Sequence, residues 1–348
     1  MLRWYGQGMR RPATIEDVAE RAGVHAGTVS RALNERTASM VSDPTRERIR
    51  SIAQELGYVP NILARGLITD ASSSIGVLVP DLTNPLFPPI VRGIESVLGP
   101  RGYTTLIANT DGNDVKERAA FDSLLARRAD GFVVATGHAD HDLLAEAQRR
   151  GIRVVTVNRG APDVAFPLVT ADNETGMRAV LEHLVELGHT RITHLAGPAG
   201  LMTSAARATA FRRLAPPGAH VVELNALSIA EGEEATLEIL SESPRPTAIV
   251  AANDLVAIGA MRATRRLGLT CPADVSITGF NDIPLAEDLG PPLTTVRVPH
   301  FEMGAFAARL LLDWLDGERS ALRNAATPTT IMLPVAFMVR GSTGAARR

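Results

Sequence analysis

Cysteine is all but missing: Cys271 is the single thiol in 348 residues. An intramolecular disulfide is therefore excluded, and a reducing compartment is favoured. No run of about 18 apolar residues occurs, so no membrane-spanning helix is expected. The N-terminus, MLRWYGQGMRR, lacks the apolar stretch of a secretory signal. Met9 opens a more natural start, MRRPATIEDV, and residues 1–8 read as a disordered or mis-assigned extension. A cytoplasmic protein with no membrane partner is expected. Also missing are a GxxxxGK[ST] loop, a GxGxxG at the first strand–helix turn, and any metal-ligand spacing. The lone cysteine has no base motif nearby, and His138, His183, His189 and His194 fit helix surfaces or loops. No cofactor, metal or catalytic residue is expected, although a Ser-His-Asp triad assembles from scattered positions and leaves no local signature.

Charge is nearly balanced, at a formal −2, but unevenly placed. Residues 1–69 hold ten Arg against seven Asp and Glu, which makes this segment +3 and the remainder −5. A mildly basic head on an acidic body fits nucleic-acid binding without requiring it. The length accommodates two or three domains.

Thr14-Ile15-Glu16-Asp17 has the form of a capping box, followed by Val18, Ala19 and Ala22 at helical spacing and Gly23 as a stop. After a short turn a second helix is predicted over Ala26 to Asn34, burying Val29 and Ala32 or Leu33. A small residue, a turn Gly and a branched apolar residue in this order suit either a helix-turn-helix or an ordinary helical hairpin. A third helix favours the former. Ser42-Asp43-Pro44 starts it, Ile49, Ile52, Ala53 and Leu56 form its apolar stripe, and Gly57 ends it.

From Ser74 onward, short apolar runs alternate with helical patterns. SIGVLVPD, YTTLIANT, GFVVATG and IRVVTVN form one series; LVTAD, RITHLAG, AHVVELN, TAIVAAND and VSITGFND form a second. Such alternation predicts parallel sheets covered on both faces, here in two lobes. Polar residues stand at the carboxyl ends of these strands: Asp81, His138, Asn158, Gly197-Pro198, Asn253-Asp254 and Asn281-Asp282. Each one alone suits a cap for the following helix; together they predict a ligand cleft.

The strings TIEDVAERAGVHAGTVSRALN and VSDPTRERIRSIAQELGYVPNILARGL resemble the head and hinge of the LacI/GalR repressors. DNETGMRAVLEHLVELGHTRITHLAGP, TAIVAANDLVAIGAMRATRRLGL and GFNDIPLAEDLGPPLTTVRVP resemble the sensor of the same family, which is similar to periplasmic sugar-binding proteins. The resemblance implies a three-helix α head over 12–60, a hinge over 61–70, and a two-lobed α/β body with doubly wound parallel sheets over 74–342. It further implies a homodimer on double-stranded operator DNA, governed by a small polar effector, with a sugar the first choice. Transport-type solute binding is the alternative, disfavoured by the head; a sugar-active enzyme on the same lobes is a third reading.

By the same resemblance, Ala26 and Gly27 occupy base-reading positions. Thr28, Ser30, Arg31 and Asn34 match polar positions that touch bases or phosphates, and Thr14 matches a phosphate-contacting helix start that doubles as a cap. His25 stands where Ser usually caps the recognition helix. Asn61, Arg65 and Leu67 belong to a hinge helix that forms on DNA, with Leu67 as a minor-groove wedge. In the sensor, Arg207 is implied as the ligand clamp, Asn158, Asn253 and Asn281 as polar contacts, and Phe211 as an aromatic wall. Asp81 and Phe87 line the opposite lobe, and His138 joins the cleft by its strand-end position. Many members carry Asp at the positions of Asn158 and Asn281. An amide donates as well as accepts, so carbonyl or carboxylate acceptors on the effector become admissible.

Overall fold

Thr14 and Asp17 start the first helix by satisfying each other's backbone. In a computed structural model, which describes residues 11, 13–33, 37–58, 72–317 and 329–347, the Asp17 amide donates to Thr14 Oγ1 at 3.3 Å and the Thr14 amide donates to Asp17 Oδ2 at 2.8 Å. That backbone donor holds the Asp17 carboxyl below its usual pKa. Helix α1 (Ile15–Ala22) ends at Gly23, whose φ of 64° is a left-handed cap. Helix α2 (Ala26–Ala32) and helix α3 (Asp43–Leu56) follow, separated by a 3-10 turn at Ala38–Met40. Val18, Ala19, Ala22, Val29, Ala32, Val41, Ile49 and Ala53 form the core of this unit, and the predicted Ile52 and Leu56 pack against it half-buried. Helices α1 and α2, joined by the Gly23 turn and packed on the buried small residue Ala19, form the helix-turn-helix arrangement. Helix α2 is shorter than expected, and Asn34 lies outside the described residues.

The chain divides into two compact units between Ser72 and Ser73. The body, residues 73–348, contains two parallel sheets. Strands β1 (Ser74–Val79), β2 (Thr104–Asn109), β3 (Gly131–Val134), β4 (Val154–Val157) and β5 (Leu168–Ala171) belong to the first. The second holds β6 (Ile192–Ala196), β7 (His220–Glu223), β8 (Ala248–Ala251) and β9 (Ser276–Thr278), in the order β7-β6-β8-β9. Strand β10 (Thr295–Arg297) pairs antiparallel with β12 (Ala336–Met338), while β11 (Thr330–Leu333) returns to the first sheet, whose order is β11-β5-β4-β3-β1-β2. Intervening helices are α4 (Phe87–Leu98), α5 (Asp114–Ala126), α6 (Asp142–Arg149), α7 (Asn173–Glu186), α8 (Met202–Leu214), α9 (Ile229–Ser241), α10 (Asp254–Arg266) and α11 (His300–Asp316).

Two expectations change. LVTAD was expected to open the second series; instead β5 pairs with β4 in the first sheet. Strands β10 to β12 were not foreseen, because they run three or four residues each and β11 and β12 carry little continuous burial.

The N-terminal lobe is completed by residues far along the chain. Helix α11 packs on α4 and on strands β3, β4 and β5. The contact between α4 and α11 is close enough that two glycines meet opposite backbones: a Cβ on Gly93 would lie 2.0 Å from Phe301 O, and one on Gly304 would lie 2.0 Å from Ile90 O. The chain thus passes between lobes three times, at Asp172 to Asn173, at Val298 to Pro299, and at Pro334 to Val335. Strand ends of both sheets consequently meet around these passages.

Candidate functional sites: the head surface and the interlobe cleft

The exposed side of α2 carries His25, Ser30 and Arg31, with Gly27 and Thr28 half-buried. His25 does cap this helix: the Gly27 amide donates to its Nδ1 at 3.1 Å. Arg31 folds back, and its Nε donates to Gly27 O at 3.1 Å. A Cβ on Gly27 would stand 3.2 Å from that imidazole, so glycine keeps the start of the helix narrow. Ala26 is half-buried against the head core. Of the remaining expected contacts, Asn34, Asn61, Arg65 and Leu67 all lie outside the described residues.

In the body, Arg207 organises the cleft. It sits on α8 and is buried, with Nε donating to Asn173 Oδ1 at 2.8 Å and Nη1 to Ala252 O at 2.6 Å. Its guanidinium lies 3.7 Å from the centroid of the Phe280 ring, a cation–π contact strengthened by exclusion of water. Three elements are tied to one side chain in this way: the start of α7, the end of β8 and the end of β9. Asn253 and Asn281, the residues beside Ala252 and Phe280, are buried at the same strand ends. Asn253 spends its Oδ1 on capping α10, accepting from the Val256 amide at 2.9 Å, which leaves its NH2 to donate.

Asn158 and Asn281 adopt φ of 65° and 118°. Left-handed and strained backbone at a non-glycine residue is uncommon and gathers where geometry serves a site. Neither amide side chain has a hydrogen-bond partner among the described residues. Next to Asn158 stands a residue that sequence reasoning passed over. Arg159 is 9% exposed, its Nε has no partner, and its guanidinium makes no hydrogen bond or ion pair among the described residues. It is near enough to Arg207 for its charge to help lower that residue's pKa, an effect that follows burial and is opposed by Asp254. The only clue was an arginine just beyond an apolar strand, a place that ordinarily reads as the start of a solvated loop.

Asp254, paired with Asn253 among the strand-end polar residues, is fully buried and accepts from Thr295 Oγ1 at 2.6 Å and from the Ile283 amide at 2.8 Å. Beside the cleft, a mostly apolar hollow of about 360 Å³ is lined by Gly160, Phe166, Asn173, Met202 and Thr203 among others.

The other expected residues stand differently. Asp81 is turned on its own loop, accepting from the Thr83 amide and hydroxyl at 2.8 and 2.6 Å. Phe87 is buried in the core at the start of α4. Phe211, one turn beyond Arg207, stacks on His194 with centroids 5.0 Å apart, and Phe280 takes the place beside the guanidinium instead. His138 is set apart. Its ring stacks on His141 and its Nε2 lies 3.3 Å from Asp114, facing a hollow between α5 and α6 rather than Arg207. The neighbouring Ala139 amide does reach across the lobes, donating to Gly200 O at 2.9 Å.

Buried titratable groups make the body acid-sensitive. Burial holds His194 and His300 down to about 4, against 6.5 for a free imidazole. Their unfolded forms therefore take up protons first, and the stability they contribute, intact above pH 6.5, is lost as pH falls toward 4. Asp254, pushed up by burial to about 6 from 3.8, acts oppositely: its contribution is present at low pH and lost as pH rises through about 6. Two imidazoles outweigh one carboxyl, so acidification across that window should cost roughly 3 kcal/mol net. Urea unfolding at successive pH values checks this; a flat profile would mean that the imidazoles reach water.

Comparison with known proteins agrees with this fold. Residues 14–61 match the family model described as bacterial regulatory proteins, lacI family. Residues 72–339 match that of periplasmic binding proteins and the sugar binding domain of the LacI family. The chain belongs to the LacI family. It is 35% identical over 305 residues to the ribose operon repressor of Halalkalibacterium halodurans, covering 87% of this chain and 90% of that one. The crystal structure of the Lac repressor dimer bound to operator and the anti-inducer ONPF is similar at a TM-score of 0.84, with 32% identity, 96% of this chain and 100% of that one covered. A LacI-family regulator from Enterococcus faecium with bound ribose gives a TM-score of 0.67 at 28% identity, covering 79% of this chain and all (100%) of the other. This LacI-family chain is a DNA-binding transcriptional regulator, and these relatives are regulators rather than enzymes. Among the described residues no helix is long and apolar enough to cross a membrane.

Proposed function

We propose that this regulator is a dimeric repressor working in the cytoplasm, whose grip on a roughly palindromic operator is set by a small sugar-like effector closing on Arg159 and Arg207. One observation carries the reading: a buried arginine without a partner among the described residues lies within electrostatic reach of a second buried arginine, at strand ends where open α/β sheets take ligands. Such a group is costly to leave unmet, and a bound polar molecule meets it. Ligand affinity becomes control of DNA only through a preference between two arrangements of the lobes. Thr14, His25, Gly27, Thr28, Ser30 and Arg31 supply the DNA-facing surface, with Ala26 shaping it from within. Asn34 and the hinge residues Asn61, Arg65 and Leu67 extend it.

The test is binding to DNA recovered from a random-sequence library. Two-fold symmetry predicts a palindromic consensus, and a dimer of basic heads predicts affinity that falls steeply with salt. Leu67→Ala should weaken the selected site by about ten-fold or more while sparing scrambled DNA, because a wedge offsets the cost of kinking one particular sequence. Equal loss on both DNAs, or a protein that stays monomeric on DNA, would count against the reading.

A further inference from the structure

The charges around the cleft do not balance. Arg159 and Arg207 keep pKa values of about 10 and about 9 despite burial, so both are cations at neutral pH. Asp254, at about 6, supplies one negative charge, and its oxygens are already held by Thr295 and the Ile283 amide. The other nearby carboxylates are committed elsewhere. Asp172 accepts from the Thr175 amide and hydroxyl, Glu174 pairs with Arg178 and Arg213, and Asp282 pairs with Arg297 and Arg340. Among the described residues, no carboxylate lies within ion-pairing distance of Arg159 or Arg207. The two positions best placed to neutralise them, Asn158 and Asn281, carry neutral amides with free donors. A neutral polyol placed here would leave a surplus positive charge out of water, and hydroxyl oxygens are weak partners for a guanidinium fork.

We propose that the effector carries an anionic group, a carboxylate or a phosphate, seated on the guanidinium groups of Arg159 and Arg207. Asn158, Asn281 and the NH2 of Asn253 add donors to the same oxygens or to their neighbours. The hollow beside the cleft, bounded by Phe166, Met202 and Thr203, takes the remainder of the molecule. Two arginines with planar donor forks suit both anions; their shared chemistry is a cluster of charged oxygens. The inference rests on the proposed effector role of this cleft and names the chemistry of what fills it.

Calorimetry and thermal shifts on the full chain, without DNA, test it with two matched series: glucose, gluconate and glucose 6-phosphate; ribose, ribonate and ribose 5-phosphate. In at least one series a charged member should bind about ten- to a hundred-fold more tightly than its neutral parent, the range for charge-assisted hydrogen bonds in a dry site. Whether the acid or the phosphate leads identifies the anion. In Arg159→Gln that preference should fall several-fold, to what Arg207 alone supplies. The ligand-free variant should also melt above the wild type, because an uncompensated buried cation has gone; a merely structural arginine would give the reverse. The inference is overturned by neutral sugars binding as tightly as their charged forms, by a preference undiminished in Arg159→Gln, or by no charged member stabilising the protein at millimolar concentration. Failure to select any DNA sequence would instead remove the regulator reading and leave the ligand ratio standing.

Discussion

Gly304→Ala unfolds the body at denaturant concentrations the wild type withstands. The added methyl would lie 2.0 Å from the carbonyl oxygen of Ile90 and 2.8 Å from its carbon. Both are backbone atoms of a helix, so no rotamer change relieves the clash, and α4 and α11 must part along their length. Overpacking of this kind costs about 3 kcal/mol or more, a large share of the stability of an ordinary domain. Trp314, on α11 and packed against the core of the same lobe, reports the loss by fluorescence in a urea titration. Gly200→Ala is the matched control. Nothing lies within 4 Å of its Cβ position, and its change should stay within about 0.5 kcal/mol. Equal behaviour of the two variants would mean that the helix crossing is looser than described.

Arg207→Ala is expected to lose both ligand and stability. The effector should bind about ten- to a hundred-fold less tightly. Asn173 Oδ1 and the Ala252 carbonyl would lose their donor inside the protein. Unmet buried acceptors cost about 1–3 kcal/mol each, partly offset by removing a buried charge, so a net loss of about 2–4 kcal/mol follows. Calorimetry reads the first effect and urea unfolding the second. Arg207→Lys separates charge from shape: it keeps the cation but cannot span both acceptors, and should recover little of either property. Full recovery by lysine would reduce Arg207 to a point charge.

The head was legible almost to the residue, because caps and 3.6-residue spacing act locally and its core is made by the same apolar stripe that marks its helices. Buried strands of the body were legible for a related reason: a run such as FVV or VVTV has nowhere to lie except in a covered sheet. Assigning them to lobes was harder. Strand β5 looks like any other apolar run, and only its partner β4 places it in the first sheet. In the cleft, position after strands pointed to Asn158, Asn253 and Asn281, while Arg207 was implied by the family resemblance alone. Sequence reasoning stopped one residue short of Arg159, because an arginine following a buried strand reads as the first solvated residue of a loop. The turn that buries it depends on the positive φ of Asn158, which sequence spacing does not display. His138 followed the same strand-end rule and faces another hollow. A rule about where the chain stands says little about where a side chain points.

The order in which a ribosome makes this protein is not the order in which its lobes can be finished. Synthesis delivers β1 to β5 first, yet their sheet waits for α11 and for β11 at Thr330–Leu333, made long after β5. The sheet β7-β6-β8-β9 lies between and can pair earlier, although β12, the partner of β10, is made after β11. Until β11 arrives, β5 offers an unpaired edge, the kind of surface that recruits strands from other chains. A message truncated before residue 330 would thus leave both lobes unfinished, the first with an aggregation-prone edge at β5 and the second without the partner of β10. Separating the two lobes by cutting the gene at Asp172 would leave the first without its covering helix. Such threading makes the folding of the sensor depend on synthesis passing β11 and β12.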